Sequence, residues 1–193
     1  MPAQVPETHH DRTVAYLKEH SLVVVTAESC TAGLIASRLA GTAGAGSVLE
    51  SAFVVYDPKA KKRCLGVLDE TLERHNLTSE PVALEMARGA LNNSDANVAI
   101  SNTGVADDSD PAIPAGTQCY AWIFRDATGD RREFTETRIF RGTRNEIREA
   151  SADHALDRIA HYHDASRETP SMAMRSSDPM ARPVESQVPQ NVR

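Results

Sequence analysis

Four stretches of this chain bring together residue types that can do chemistry. The first is Glu28-Ser29-Cys30-Thr31, an acid, two hydroxyls and a thiol at the point where an apolar run gives way to a helical pattern. A strand entering a helix leaves free backbone N–H groups at the helix start, and these groups with the helix dipole favour an anion. Helix capping by Ser29 or Thr31 is the plainer reading, but capping alone does not ask for an acid, a thiol and Gly33 together. The second stretch runs from Gly44, Gly46 and Ser47, a flexible hydroxyl-bearing turn, through Tyr56 at a strand end to Lys61, one helical turn past Pro58. Ser and Lys form a nucleophile–base pair when the Lys is desolvated and its pKa falls. On spacing alone, Lys59, Lys61, Lys62 and Arg63 read as a solvated basic helix face.

The third stretch, Ser101-Asn102-Thr103-Gly104, closes a strand, and ligands of open α/β sheets sit at carboxyl ends of strands; an ordinary turn is the alternative. The fourth holds Arg144 and Arg148 in the first turns of the last helix, where a cation opposes the dipole. That misfit points to a ligand or partner carboxylate, with a surface salt bridge as the bland alternative. No metal site is expected. Asp107-Asp108-Ser109-Asp110 lacks the Gly and distal Glu of an EF-hand loop, and His161 and His163 have no third ligand. Cys64 and Cys119 stand in apolar settings and read as core thiols.

These residues must be positioned by a modest chain. It has 193 residues, of which 40% are hydrophobic, and a formal net charge of −6. One domain with tails is expected. The negative balance argues against a general nucleic-acid or membrane-surface binder, while leaving room for a small anion in one pocket. The polar N-terminal stretch, the absence of a membrane-length apolar run and three cysteines without Cys-x-x-Cys spacing point to a reduced cytoplasm.

Residues 1–7 read as a flexible arm. Helical patterns cover 7–19, 31–40, a basic segment after Asp57-Pro58, 68–75, a segment opened by Thr78-Ser79-Glu80-Pro81, and 143–163, where Thr143 and Glu146 fit a capping box. Strands are expected over 22–27, 51–56, 97–101, 117–125 and 132–140, the last two as an antiparallel hairpin. Residues 165–193, with four prolines and no aromatics, read as a disordered tail. Strands alternating with helices before a hairpin predict an α/β fold, a three-layer α/β/α sandwich with a mixed sheet, over residues 8–164.

Taken in order, these segments resemble one family. AESCTAGLIA is similar to the AESCTGG motif of the CinA C-terminal domain family, the nicotinamide-nucleotide amidohydrolases. FVVYDPKAKKRCLGV, LTSEPVALEMARGAL, SNTGVA, IPAGTQCYAW and FRGTRNEIREAS match further family segments. The resemblance, to the stand-alone form without the N-terminal CinA domain, spans residues 14–162. It implies hydrolysis of the carboxamide of nicotinamide mononucleotide to nicotinic acid mononucleotide and ammonia, a step of pyridine nucleotide salvage. It implies a Ser nucleophile helped by Lys and Tyr, no metal, no cofactor, no nucleic acid or membrane partner, and a homodimer. Carried onto this chain, Ser47 is the nucleophile, Lys61 the base and Tyr56 a supporting donor. Glu28, Ser29, Cys30, Thr31, Gly33, Gly44, Gly46, Thr103, Gly104 and Arg144 line the substrate pocket, with helix starts holding the 5′-phosphate. The chain also departs from the family. Ala45 and Gly46 stand where the family has two serines, Ala32 where it has Gly, and Asp107-Asp108-Ser109-Asp110-Pro111 where it has a Gly-Pro loop. The alternative expectation is therefore an inactive relative that binds a nucleotide or a protein partner.

Overall fold

A computed structural model describes residues 8–108 and 110–168. The elements run α1 (His9–Glu19), β1 (Val24–Glu28), α2 (Leu34–Ala40), a short 3-10 turn (Ala45–Ser47), β2 (Leu49–Val54), α3 (Pro58–Leu65), α4 (Asp69–Arg74), α5 (Glu80–Asn92), β3 (Val98–Gly104), β4 (Thr117–Arg125), β5 (Arg131–Ile139) and α6 (Arg144–Glu168). The sheet order is β2-β1-β3-β4-β5. β2, β1 and β3 are parallel, while β4 and β5 add antiparallel. This is the expected mixed sheet with helices on both faces. Among the described residues no helix is long and apolar enough to cross a membrane.

Both faces of the central strands are covered, so they read as continuous apolar runs. In β4 the period of two still sorts the side chains. Tyr120, Trp122 and Phe124 join the core shared with α1, α2 and α6. Cys119, Ala121 and Ile123 face the core built on α3 and α5. Cys64 packs beside the second core but is only half-buried, whereas Cys119 is fully inside it. On the second face, α3 and α5 approach so closely that a Cβ on Gly89 would lie 1.9 Å from the Leu65 carbonyl oxygen, which only glycine allows.

Most helix starts follow their capping chemistry. Thr8 and Asp11 form a capping box on α1. Asp57 caps α3 with Pro58 in its first turn, and Ser79 caps α5. Thr143 and Glu146 cap each other reciprocally at α6. Strand ends shift by up to three residues from the sequence reading, with β1, β2 and β3 at 24–28, 49–54 and 98–104 against 22–27, 51–56 and 97–101 expected, and two helix boundaries differ by three or more. α6 continues to Glu168, so the tail expected from 165 starts inside a helix; the rest of it, and the arm at 1–7, lie outside the described residues. α2 begins at Leu34 rather than at 31, because Ala32 (φ 51°) and Gly33 (φ 94°) are left-handed and interrupt the helix.

Candidate functional site

The parallel strands β1, β2 and β3 end together, with Glu28 paired to both Val54 and Asn102. Their C-terminal ends deliver the Ser29 turn, Tyr56 and the Thr103-Gly104 segment to one place. A cavity of about 210 Å³ lies there, lined among others by Ser29, Cys30, Tyr56, Lys61, Thr103 and Gly104. Asn76, Leu77, Thr78 and Asp110 close its other side.

Lys61 is the centre of this site. It is only 2% exposed, so the solvated basic face expected from spacing does not hold for this residue. Helical side chains lean toward their own N-terminus, and Lys61 sits one turn into α3. Its chain therefore runs back to the strand end, where Nζ donates to the Val55 and Tyr56 carbonyls at 3.0 and 3.1 Å. The third partner is Ser29 Oγ at 2.9 Å. Burial pushes the Lys61 pKa down from its ordinary 10.5 to about 8, against the opposing pull of nearby Asp57. Three acceptors satisfy an ammonium; a neutral amine keeps the two carbonyl bonds and turns its lone pair to the Ser29 hydroxyl. The pair can thus take a proton from Ser29, as nucleophilic catalysis requires.

The expectation that Ser47 meets Lys61 is corrected by the topology. Ser47 precedes β2, whereas Lys61 follows it, and β2 spans Leu49–Val54. At about 3.3 Å per residue the strand separates the two by roughly 20 Å. Ser47 Oγ donates to the Gly44 carbonyl at 3.1 Å. Gly44 and Gly46 lie at that same far end, and Gly44 makes room for Lys18 rather than for a ligand of the cavity.

Glu28 also has a different place. It is fully buried, and its carboxylate accepts from the backbone N–H groups of Gly33, Ile35 and Ala36 at 2.7, 3.1 and 3.0 Å. Thr26 Oγ1 donates to it as well. Glu28 therefore supplies the anion at the start of α2, where the left-handed Gly33 offers no side-chain cap. Neither Ser29 nor Thr31 caps this helix, and the helix start is taken by the chain's own acid rather than left for a phosphate. Gly33 serves that turn and does not line the cavity. Thr31 is fully buried, and its hydroxyl pairs with no described group.

The turn is braced from outside. Asn102 Oδ1 accepts from the Thr31 amide at 3.1 Å. Asn102 belongs to a buried polar cluster with Gln118 and Ser151. Gln118 Nε2 also donates to Cys30 Sγ, and burial raises the pKa of that thiol. Arg148 Nε and Nη2 donate to the Cys30 and Thr31 carbonyls at 2.9 and 3.1 Å, so the cation near a helix start has two backbone oxygens as its ligands. Sequence reasoning missed Gln118, Ser151 and Arg148 as supports of the turn, since their partners come from distant segments.

Thr103 lines the cavity, but its hydroxyl donates to the Leu77 carbonyl. Gly104 leaves space for Gln118, which a Cβ would meet at 2.2 Å. Tyr56 is exposed at the rim, where its hydroxyl accepts from Arg144 Nη2 at 2.7 Å. Arg144 Nη1 donates to Asp107 Oδ2 at 2.6 Å. Among the described residues no group of three or more His, Cys, Asp or Glu could hold a metal ion. A larger concavity, about 580 Å³, opens at the opposite end of the sheet beside His20, His163 and Arg125. Its Ser166 hydroxyl donates to the His163 carbonyl, not to a base.

Residues 6–163 match the model of the CinA C-terminal domain. A CinA-like protein of Akkermansia muciniphila is 40% identical over 159 residues, covering 81% of this chain and 37% of the relative. The chain thus spans about a third of the length of the CinA-like relatives it matches. The nicotinamide-nucleotide amidohydrolase PncC of Escherichia coli strain K12 is 37% identical over 145 residues, 74% of this chain and 86% of the relative. The crystal structure of the competence/damage inducible protein CihA from Agrobacterium tumefaciens superposes with a TM-score of 0.71 at 35% identity. That match covers 80% of this chain and 93% of the other.

Proposed function

The chain belongs to the CinA C-terminal domain family, and on that premise we propose that it hydrolyses the carboxamide of nicotinamide mononucleotide, with Ser29 as nucleophile and Lys61 as base. One observation carries this reading: the buried Lys61 Nζ lies 2.9 Å from Ser29 Oγ. The amidohydrolase name of the Escherichia coli relative supports the substrate class.

The neutral Lys61 amine takes the Ser29 proton as Oγ bonds to the amide carbon. The oxyanion that forms is met by the Cys30 N–H, which follows the nucleophile directly, in the manner of an oxyanion hole. When the carbon–nitrogen bond breaks, the Lys61 ammonium returns the proton to the leaving nitrogen, and ammonia departs. An ester on Ser29 remains. Lys61 then takes a proton from water as its oxygen attacks that ester, and the proton returns to Ser29 Oγ as the acid leaves. The Tyr56 hydroxyl, already accepting from Arg144, keeps its own O–H to donate at the rim.

The replaced family serines do not favour the inactive alternative, because Ala45 and Gly46 sit beside Ser47, at the end of β2 away from the Ser29–Lys61 pair. Ammonia release from purified protein given nicotinamide mononucleotide tests the proposal. Ser29→Ala is expected to lose at least about a thousandfold in kcat, in line with losing a nucleophile, while staying folded with a melting temperature lowered by only several degrees for the lost Lys61 bond. Ser47→Ala is expected to stay within about twofold of the parent, the ordinary effect of an exposed substitution away from the chemistry. No ammonia from folded protein at any pH, or an active Ser29→Ala variant, overturns it.

A further inference from the structure

The helix starts around the cavity already carry acceptors of their own. Glu28 takes the Gly33 amide and two amides of α2, Asp57 caps α3, Ser79 caps α5, and Thr143 with Glu146 closes α6. Two nearby cations are also committed. Lys61 is buried on Ser29, and Arg148 holds backbone carbonyls. Arg144 differs. It stands at the rim on Tyr56, and its other arm is held by Asp107, each side chain of that pair being close to half exposed.

An exposed Arg–carboxylate pair is weak and exchangeable, and a guanidinium fork suits a phosphate as well as it suits a carboxylate. Building on the amidase reading, we propose that Asp107 is a built-in competitor for the substrate's phosphate. In the free protein its carboxylate occupies Arg144 Nη1. A nucleotide phosphate entering at the rim displaces it, takes Nη1 and leaves Nη2 on Tyr56. Asp107 thereby sets how strongly the site prefers a phosphorylated nucleotide over the phosphate-free riboside of the same amide. It is a specificity-determining residue that acts through Arg144.

Asp107→Asn keeps the side-chain shape and removes the competing charge. Calorimetric titration with nicotinamide mononucleotide and with nicotinamide riboside, in a Ser29→Ala background that prevents turnover, reads the contact directly. Adding Asp107→Asn should tighten nucleotide binding about three- to fivefold, the size of an exposed ion pair. Riboside binding should stay unchanged, and the gain should shrink at high salt. Arg144→Met should remove both the preference for the phosphorylated ligand and the effect of Asp107→Asn. An unchanged nucleotide Kd, or an equal change for the riboside, overturns the proposal. Because binding is measured without turnover, these outcomes stand apart from those that test the Ser29–Lys61 reaction.

Discussion

The reaction assigned to Ser29 and Lys61 makes a specific demand on pH. Only the neutral Lys61 amine can accept the Ser29 proton, and its pKa lies near 8 because the ammonium is desolvated. With that value roughly a quarter of the protein carries the neutral amine at pH 7.5, against about one molecule in a thousand for an ordinary lysine. The acid limb of kcat should therefore rise with unit slope below about pH 7.5 and flatten above about pH 8.5. Between pH 7 and pH 9 the predicted increase is about tenfold; a lysine at its ordinary pKa would give about a hundredfold with no plateau. The assay is ammonia release at saturating nucleotide and constant ionic strength, with a melting curve at each pH to show that the protein stays folded. Asp57 supplies the one opposing influence, holding the Lys61 pKa up. Asp57→Asn keeps a competent helix cap and should move the plateau to lower pH. A straight unit-slope rise through pH 9, or a profile unmoved by Asp57→Asn, refutes the assignment of Lys61 as a desolvated base.

Two predictions concern the turn that carries Ser29. Glu28→Gln puts an amide N–H₂ among three backbone donors in a fully buried place, and should cost about 2–4 kcal/mol. At about 2–4 °C per kcal/mol, thermal unfolding should show a drop of roughly 5–15 °C; an unchanged midpoint contradicts the capping role. Ala32 holds a left-handed φ of 51°, worth about 1–2 kcal/mol of strain, partly offset by the extra unfolded-state entropy of glycine. Ala32→Gly should therefore stabilise by roughly 0.5 kcal/mol, read as a small rise in denaturation midpoint, and a fall would show that the turn is relaxed as it stands.

The sequence by itself settled the architecture, since local signals sufficed. Apolar runs of strand length, the caps at Asp57, Ser79 and Thr143, and the 117–140 hairpin each depend on neighbours in the chain, and their alternation admits few topologies. The segments that line the cavity were equally legible, because Ser29, Tyr56 and Thr103 stand at or just past strand ends and Lys61 lies one turn into the helix that follows β2. Their partners were not. Ser47 is fourteen residues before Lys61 and Ser29 is thirty-two, and the family resemblance set Ser47 beside Lys61, whereas the two stand at opposite ends of β2. Parallel pairing of β1 with β2 carries the C-terminal end of each strand to the same edge, and that places Ser29 at Lys61. Glu28 turned from a pocket residue into a helix cap for a like reason. A carboxylate at a strand end can face ligand or protein, and only the left-handed Ala32-Gly33 turn, folding α2 back over it, decided which. Burial of Lys61, invisible in a run of basic residues, came from helix direction and from the strand edge beneath it. These are long-range properties of packing, and packing is what turned a set of reactive side chains into one pair able to exchange a proton.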